Sequence, residues 1–243
     1  MTDRAAAAER LCNKGVVAVV RASNSGQLID VAQALLAGGV DCIEITMTTP
    51  NALEVIADCR KQLDEAFVGV GSVLNAQTAE EAIQAGAQFV VSPIFDLSVI
   101  EKSHQHDCPC VPGAFTPTEI HRATEAGADM VKVFPAGMFG PKFFKAVLAP
   151  MPHLKLTPTG GVDLDTAGAW IKAGARTLGI GSSLVTKSAL ASGNFQIYRS
   201  ARWEYRSILH DKTARNRYKQ ATSTSPPAKQ KGTYRGRGSF AQT

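Results

Sequence analysis

The chain has 243 residues, of which 44% are hydrophobic and 19% charged, so it can bury a sizeable core and fits the length of a single α/β barrel domain. The formal net charge is +5, yet residues 202–243 alone hold ten Lys/Arg and two Asp/Glu, a balance of +8. Residues 1–201 therefore carry 16 Lys/Arg against 19 Asp/Glu, a balance of −3, which argues against nucleic acid as a partner of the main part of the chain.

The N-terminal segment "MTDRAAAAERLCNKG" has no apolar region of signal-peptide length, and no later window holds about 18 uninterrupted apolar residues. The five cysteines are odd in number, scattered, and mostly in apolar surroundings, which suits reduced thiols better than a disulfide framework. We therefore expect a soluble, cytoplasmic protein without membrane contact.

Short apolar segments alternate with helical stretches along most of the chain, which is typical of parallel strands buried on both faces. The candidate strands cover residues 16–21, 42–47, 67–72, 89–93, 108–113, 130–135, 154–161 and 177–183. Eight strands are the number that closes a TIM (β/α)8 barrel, although a doubly wound open sheet gives similar local patterns.

Four amphipathic segments end at an Ala-Gly pair and then enter a strand: "LLAGGVDCIEI", "AIQAGAQFVVS", "ATEAGADMVKV" and "WIKAGARTLGI". The glycines Gly38, Gly86, Gly127 and Gly174 suit the left-handed position that follows a helix end. Their separations of 48, 41 and 47 residues fit two βα units each, which favours the barrel.

The C-terminal part divides in two. Residues 193–209 have the pattern of one more helix that closes the bottom or flank of the barrel, whereas residues 213–243 are polar, basic and rich in Pro and Gly. We predict one barrel domain over residues 1–212 and a disordered basic tail over residues 213–243. The tail's "TYRGRGSF" resembles a segment that contacts RNA, but it is a single repeat, which argues against nucleic acid as a partner.

The segment "DMVKVFPAG" places Lys132 inside an apolar strand, where an ammonium group needs compensation. Strand alternation puts Met130, Lys132 and Phe134 on one face, and likewise Cys42, Glu44 and Thr46 on the second strand. If these faces point into the barrel, Lys132 and Glu44 share its interior. An internal ion pair without chemistry is the alternative interpretation.

An amine beside a carboxylate in such a space can attack a ketone and form a Schiff base, because the carboxylate can transfer the protons that the steps require. The iminium then accepts electrons when a carbon–carbon bond breaks. Lys155 is the rival nucleophile, since it shares a face with Thr157 and Thr159, but it would lie roughly 13 Å below the loop end at Thr159.

Two glycine-rich turns, "PTGG" and "GIGSS", follow the last two candidate strands. Loops at these positions commonly bind phosphate in barrels, because glycine lets backbone N–H groups approach an anion. Gly160, Gly161 and Gly181 are the candidate glycines. The alternative is that both are simply tight turns.

The segments "GVVAVVRA", "AGGVDCIEITM", "VGVGSVLN", "AGAQFVVSP", "PGAFTPTE", "VKVFPA" and "PTGGV" resemble, in order and spacing, the 2-keto-3-deoxy-6-phosphogluconate (KDPG) and 4-hydroxy-2-oxoglutarate (KHG) aldolase family over about residues 8–200. The resemblance implies a class I aldolase, a homotrimer of TIM barrels without a metal or other cofactor, that cleaves KDPG to pyruvate and glyceraldehyde 3-phosphate. It assigns the Schiff-base lysine to Lys132 and the proton-transferring glutamate to Glu44.

The same resemblance implies the substrate-binding residues. It places Phe134, Pro93, Thr159 and Ser72 in the substrate cavity, the last of these at the pyruvyl carboxylate, and Thr46 lies on the same strand face as Glu44. The phosphate would meet Gly160, Gly161 and Ser182, with Gly181 in the same turn.

One departure concerns the substrate carboxylate. Many family members carry an arginine where this chain has Thr48 in "EITMTTP". Arg21, at the end of the first strand, could supply the positive charge, since guanidinium binds carboxylate in a bidentate manner; a surface ion pair is its alternative role. The resemblance therefore leaves open cleavage of KHG or of the galactonate epimer of KDPG.

Two further hypotheses differ in class. "HQHDCPC" (residues 104–110) has the composition of a metal site, but it spans a helix end and a strand start, so its side chains should diverge and we expect no metal. Thr48 and the basic tail also permit a catalytically inactive barrel whose tail associates with RNA.

Overall fold

Nine short parallel strands surround the centre of the computed structural model, which describes residues 3–22 and 25–195. The strands are β1 (Val16–Val20), β2 (Cys42–Thr46), β3 (Phe67–Gly71), β4 (Val90–Val91), β5 (Cys110–Val111), β6 (Gly113–Ala114), β7 (Val131–Val133), β8 (Leu156–Pro158) and β9 (Leu178–Ile180). The α-helices of these residues are α1 (Arg4–Lys14), α2 (Leu28–Ala37), α3 (Ala52–Gln62), α4 (Ala76–Gln84), α5 (Leu97–Gln105), α6 (Pro117–Glu125), α7 (Pro141–Leu148), α8 (Leu164–Lys172) and α9 (Lys187–Ser192).

The strands close into a ring with eight strand positions. One sheet has the order β5-β4-β3-β2-β1-β9 and the other the order β6-β7-β8. A parallel bridge between Thr159 and Gly179 joins β8 to β9. At the other junction, β5 and β6 are two parts of one strand position interrupted at Pro112, whose carbonyl accepts a hydrogen bond from the Lys132 N–H at 2.9 Å. The predicted (β/α)8 barrel is confirmed, and the open-sheet alternative is excluded.

The predicted alternation within the strands is reflected in two separate cores. Ile43 and Ile45 belong to the large core between the strands and the surrounding helices, whereas Cys42 belongs to a second core inside the barrel. Val131 and Val133 likewise face the helices, and Met130 lies in the inner core. Lys132 and Glu44 therefore point into the barrel.

Helix α1 closes the bottom of the barrel, at the N-terminal ends of the strands. Its buried residues Ala7, Leu11 and Cys12 pack on the inner core. The rest of that core comes from the lower strand positions Val17, Cys42, Phe67, Phe89, Val91, Val111 and Met130. The predicted closing helix over residues 193–209 lies, from residue 196 onward, outside the described residues, as do the expected domain end at residue 212 and the tail.

Three of the four glycines predicted at helix ends have the left-handed conformation, with φ of 109° at Gly86, 92° at Gly127 and 104° at Gly174. Gly38 does not, since its φ is −78° and it continues the last turn of α2. The next residue, Gly39, has φ of 79°. In a Gly-Gly pair the chain reverses at the second glycine when the first still donates to the helix, as Gly38 does to Ala34 at 2.9 Å.

No helix among residues 3–22 and 25–195 is long and apolar enough to span a membrane.

Candidate active site

A lysine and a glutamate meet inside the upper half of the barrel. Lys132 comes from β7 and is 5% exposed, and Glu44 comes from β2 and is 3% exposed. The Lys132 Nζ lies 3.7 Å from the Glu44 Oε1. Because both groups are shielded from water, the attraction between the Lys132 ammonium and the Glu44 carboxylate is strong at this distance. This attraction explains how a lysine is accommodated in an apolar strand.

The surroundings of Lys132 keep its amine at the upper end of the barrel. The Phe134 ring, two residues further along the chain, lies 5.4 Å from Nζ, which is within the range of a cation–π contact. Phe134 itself is 38% exposed, so it forms part of the open end of the site. An amine held between an aromatic ring and a carboxylate is positioned for a substrate that enters from the C-terminal ends of the strands.

The Glu44 carboxylate rests against β3 at Gly71. A Cβ atom at position 71 would lie 2.0 Å from the Glu44 Oε1, so only glycine leaves room for the carboxylate there. Within the described part of the chain no hydrogen-bond donor reaches Oε1. This oxygen is therefore free to accept a proton from the amine or from a substrate hydroxyl.

Two threonines follow Glu44 on the same side of the barrel mouth. Thr46 ends β2 and is 1% exposed, and its Oγ1 lies 2.9 Å from the Thr48 Oγ1. Thr48, which stands where the family resemblance implies an arginine, is exposed. A hydroxyl pair thus occupies the position at which the resemblance implies a cation.

Arg21 lies just past the end of β1. Val19 is aligned with Glu44 across the β1–β2 pair. Arg21 therefore lies two residues nearer the open end of the barrel than the Glu44 backbone does. Its side chain is exposed and forms no ion pair with a described residue. No described residue is therefore available as the partner of Arg21 in the alternative role, a surface ion pair.

Ser72 and Pro93 follow the next two strands. Ser72 is half-buried and has φ of 61°, a left-handed conformation that non-glycine residues seldom adopt and that concentrates at functional sites. Pro93 is half-buried, and its carbonyl carbon and oxygen lie 2.2 Å from where a Cβ on Gly113 would be. Both residues therefore line the C-terminal end of the barrel, as Thr46 does.

The turn after β8 needs its glycines. Gly160 and Gly161 have φ of 82° and 78°. The Gly137 N–H donates to the Gly160 carbonyl at 2.8 Å, and a Cβ on Gly161 would come within 2.7 Å of the Gly137 Cα. Thr159, 8% exposed, precedes this turn, and its Oγ1 would be 2.2 Å from a Cβ on Gly179.

The two glycine turns adjoin each other. Ser183 Oγ donates a hydrogen bond of 2.7 Å to the Val162 carbonyl, which ties the loop after β9 to the loop after β8. Gly181 is half-buried and Ser182 exposed at this junction. Ser183 was not predicted from the sequence, because nothing local distinguishes it from Ser182.

Lys155 lies at the opposite end of the barrel. It is exposed, and it is close enough to Cys12 of α1 to lower the pKa of that thiol, against the dominant rise caused by burial. The bottom of the barrel is thus its location, and it is remote from Glu44.

The histidines of "HQHDCPC" diverge, as their spacing predicts. The His104 Nε2 lies 3.1 Å from the Asp129 carboxylate, whereas the His106 Nε2 lies 3.2 Å from the Glu80 carboxylate. Burial raises the pKa of both Cys108 and Cys110 to about 12, so neither thiol readily becomes a thiolate ligand. Across residues 3–22 and 25–195, no group of three or more His, Cys, Asp or Glu side chains could hold a metal ion.

Residues 7–199 match the family model described as KDPG and KHG aldolase. The chain belongs to the KDPG and KHG aldolase family. It is therefore an enzyme of the carbon–carbon lyase class, and the family membership predicted from the sequence motifs is confirmed.

Three relatives of this KDPG/KHG aldolase family member carry aldolase names. A 2-dehydro-3-deoxy-phosphogluconate aldolase of Treponema pallidum is 37% identical over 182 residues, which cover 74% of this chain and 86% of the relative. The KHG/KDPG aldolase of Escherichia coli K12 is 32% identical over 190 residues, covering 77% and 89%. The 2-dehydro-3-deoxy-6-phosphogalactonate aldolase of the same organism is 31% identical over 173 residues, covering 70% and 83%.

Solved structures share the barrel. A KDPG aldolase from Legionella pneumophila, with pyruvate captured as a covalent carbinolamine, superposes with a TM-score of 0.76 at 24% identity, covering 83% of this chain and 97% of that one. A cube-shaped protein cage designed by fusing symmetric oligomeric domains superposes with a TM-score of 0.75 at 28% identity, covering 85% and 77%.

Proposed function

We propose that this protein is a class I aldolase that cleaves KDPG to pyruvate and glyceraldehyde 3-phosphate through a Schiff base on Lys132. The observation that carries the proposal is the buried contact between the Lys132 Nζ and the Glu44 Oε1 at 3.7 Å. A nucleophilic amine and a proton-transfer group are then both within reach of one substrate carbon.

The chemistry proceeds in steps that these two side chains can perform. Glu44 takes a proton from Lys132, and the neutral Nζ attacks the C2 carbonyl carbon of the substrate to give a carbinolamine. Glu44 then returns this proton to the carbinolamine hydroxyl, which leaves as water and yields an iminium. The C3–C4 bond then breaks, its electron pair moves into the iminium to form an enamine, and Glu44 accepts the proton of the C4 hydroxyl as the aldehyde leaves.

The enamine must regain a proton before pyruvate is released. Glu44, now protonated, delivers that proton to C3, and addition of water to the resulting iminium frees pyruvate and the Lys132 amine. Because one carboxylate removes and returns the proton, no further acid or base is required. The open Oε1, which no described donor satisfies, suits a group that changes its protonation state during the cycle.

The remaining site residues bind the two ends of the substrate in this proposal. Ser72 and Arg21 meet the pyruvyl carboxylate, while Thr46, Pro93, Phe134 and Thr159 line the cavity around the chain carbons. The backbone N–H groups of Gly160, Gly161 and Gly181, with the Ser182 hydroxyl, bind the phosphate. The hydrogen bond between Ser183 and Val162 holds the turns after β8 and β9 side by side, which supports this phosphate assignment.

Borohydride trapping tests the proposal. The protein is incubated with pyruvate and borohydride, and the adduct is located by intact mass and peptide mapping in wild type, Lys132→Ala and the matched control Lys155→Ala. We expect a pyruvate-derived adduct on Lys132 that is lost only in Lys132→Ala. Wild-type protein without an adduct, or with an adduct on Lys155, would overturn the mechanism.

The choice of substrate requires its own experiment. Cleavage of KDPG, of its galactonate epimer and of 4-hydroxy-2-oxoglutarate is measured side by side as kcat/KM, with pyruvate as the common product. Preference for a phosphorylated substrate is expected from the two glycine turns, and turnover of 4-hydroxy-2-oxoglutarate alone would contradict the phosphate assignment. KHG and galactonate cleavage remain the alternatives, since relatives with those names are similarly close.

A homotrimer is part of the proposal. At the open end of the barrel, Phe139 stacks on Phe115 at 4.5 Å and on Phe143 at 4.8 Å, and Met138 beside them is 75% exposed. An exposed apolar cluster of this kind marks an interaction surface. The symmetric oligomeric domains of the similar cage lend further support. Light scattering after size exclusion should give three chains for wild type and a smaller species for Phe139→Glu.

A cytoplasmic location is also proposed. Cys12, Cys42, Cys59, Cys108 and Cys110 are all free and buried, which suits a reducing compartment.

A further inference from the structure

The inward face of β3 carries one large residue followed by two glycines. Phe67 belongs to the core inside the barrel, whereas Val68 and Val70 belong to the core beneath the helices, so Gly69 and Gly71 also face inward. Neither glycine has a positive φ within this strand. Their backbone therefore does not require glycine, and the missing side chains must serve another purpose.

Each glycine leaves room for one specific side chain. A Cβ on Gly69 would lie 2.4 Å from the Phe89 ring. A Cβ on Gly71 would lie 2.0 Å from the Oε1, 2.6 Å from the Cδ and 2.7 Å from the Cγ of Glu44, distances that real Cβ atoms essentially never show. Gly69 thus makes space in the inner core, and Gly71 makes space in the site.

The Glu44 side chain leans along the barrel to reach this space. Across the β2–β3 pair Glu44 is aligned with Gly69, and Gly71 is aligned with Thr46, one inward position nearer the open end. The carboxylate therefore lies above the level of its own Cα, over Gly71, where it is 3.7 Å from the Lys132 Nζ. A side chain at position 71 would occupy the volume that brings the two groups together.

We infer that Gly71 is a positioning residue for the aldol reaction: the absence of its side chain is what allows the Glu44 carboxylate to lie beside the Lys132 amine. The inference rests on the proposed function. With alanine at position 71, Glu44 must move away from the wall of β3, so proton transfer at C3 and C4 fails. Lys132 keeps its own strand contacts and can still form an imine with pyruvate, at a reduced rate.

The test compares Gly71→Ala with Gly69→Ala, the same change two residues earlier on the same strand face. Proton transfer is followed by NMR as exchange of the pyruvate methyl protons in D2O, and imine formation as the borohydride adduct on Lys132. For Gly71→Ala we expect exchange to fall by about 100-fold or more, the range of a lost acid or base, while the adduct still forms. Gly69→Ala should lower the melting temperature and retain exchange within about 3-fold per folded molecule.

A double-mutant cycle with Glu44→Ala separates positioning from general damage. If Gly71 acts through Glu44, adding Gly71→Ala to Glu44→Ala should change the exchange rate by less than about 2-fold, because the displaced group is already gone. Multiplicative losses in the double variant would show that Gly71 acts independently and would overturn the inference.

Stability provides a second measurement in case Gly71→Ala folds poorly. The clash is with Glu44 atoms, so the melting temperature lost in Gly71→Ala should be recovered in Glu44→Ala/Gly71→Ala, and failure to recover it would contradict the inference. If wild-type protein neither exchanges the pyruvate methyl protons nor forms the borohydride adduct, the proposed function is overturned as well. Active wild type together with fully active Gly71→Ala would overturn the role of Gly71 alone.

Discussion

Removing the charge of Lys132 should destabilise the protein far more than removing both charges of the buried pair. At 3.7 Å and an effective dielectric constant of about 20, the attraction between Lys132 and Glu44 is 332/(20 × 3.7), or about 4.5 kcal/mol. Lys132→Met keeps most of the aliphatic volume but leaves the 3% exposed Glu44 without a counter-charge, and breaking a buried pair in this way costs about 3–5 kcal/mol. The double variant Glu44→Gln/Lys132→Met leaves no buried charge and should lie within about 1 kcal/mol of wild type.

Urea unfolding of wild type, both single variants and the double variant measures this coupling at pH 7.5 and one protein concentration. Tryptophan fluorescence is a suitable probe, since Trp170 is 1% exposed and packs edge-on to Phe144. Lys155→Met is the matched control, and an exposed lysine should change the free energy of unfolding by less than about 0.5 kcal/mol. Additive single-variant losses, or a Lys132→Met variant as stable as the control, would refute the ion pair.

Four further predictions concern stability and thiol chemistry. Leu11→Ala removes a 1% exposed side chain between α1 and the inner core, so urea unfolding should show a loss of about 3 kcal/mol. Thr116→Ala removes the cap of α6 and should cost about 1 kcal/mol by the same assay. Hydrogen bonds from the Thr116 and Phe115 backbone lower the pKa of Glu119. The stability that the Glu119 carboxylate contributes is therefore present above its ordinary pKa near 4.5 and is lost as the pH falls through the lowered value. Melting temperatures measured over a pH series should show wild type and Glu119→Gln converging in acid. With pKa values raised to about 12, Cys108 and Cys110 should react with a thiol reagent at pH 8 only after denaturation, and rapid labelling of the native protein would contradict their burial.

Much of the site could be located from sequence because strand alternation is a local property. Once "DMVKVFPAG" and "CIEITM" are assigned as strands, Lys132 and Glu44 must share faces with Met130 and Thr46 respectively, and the structure places both faces inside the barrel. The glycine turns after the last two strands could also be found locally, because "PTGG" and "GIGSS" directly follow the candidate strands. Gly71 is not among the predicted site residues, although a glycine on the inward face of a strand indicates the close approach of another group.

Other features had no local signal. The sequence patterns predict a closing helix at the bottom or flank of the barrel for residues 193–209, whereas the structure has the N-terminal helix α1 at the bottom. Gly38 and Gly39 could not be distinguished, since the choice depends on where α2 stops donating hydrogen bonds. The two-residue strands β4 and β5 are shorter than the apolar segments that contain them, because Pro93 and Pro112 end or interrupt the ladder.

Short segments of the sequence are enough to predict the fold class, the family and the Lys132–Glu44 pair, because repeated helix and strand patterns and an ionisable residue in an apolar strand are local features. The folded barrel alone shows that the ring closes between Thr159 and Gly179, and that the Glu44 carboxylate lies over Gly71 toward Lys132. Those relations depend on the register between strands that are distant in the chain, and register is fixed by the packing of the whole barrel.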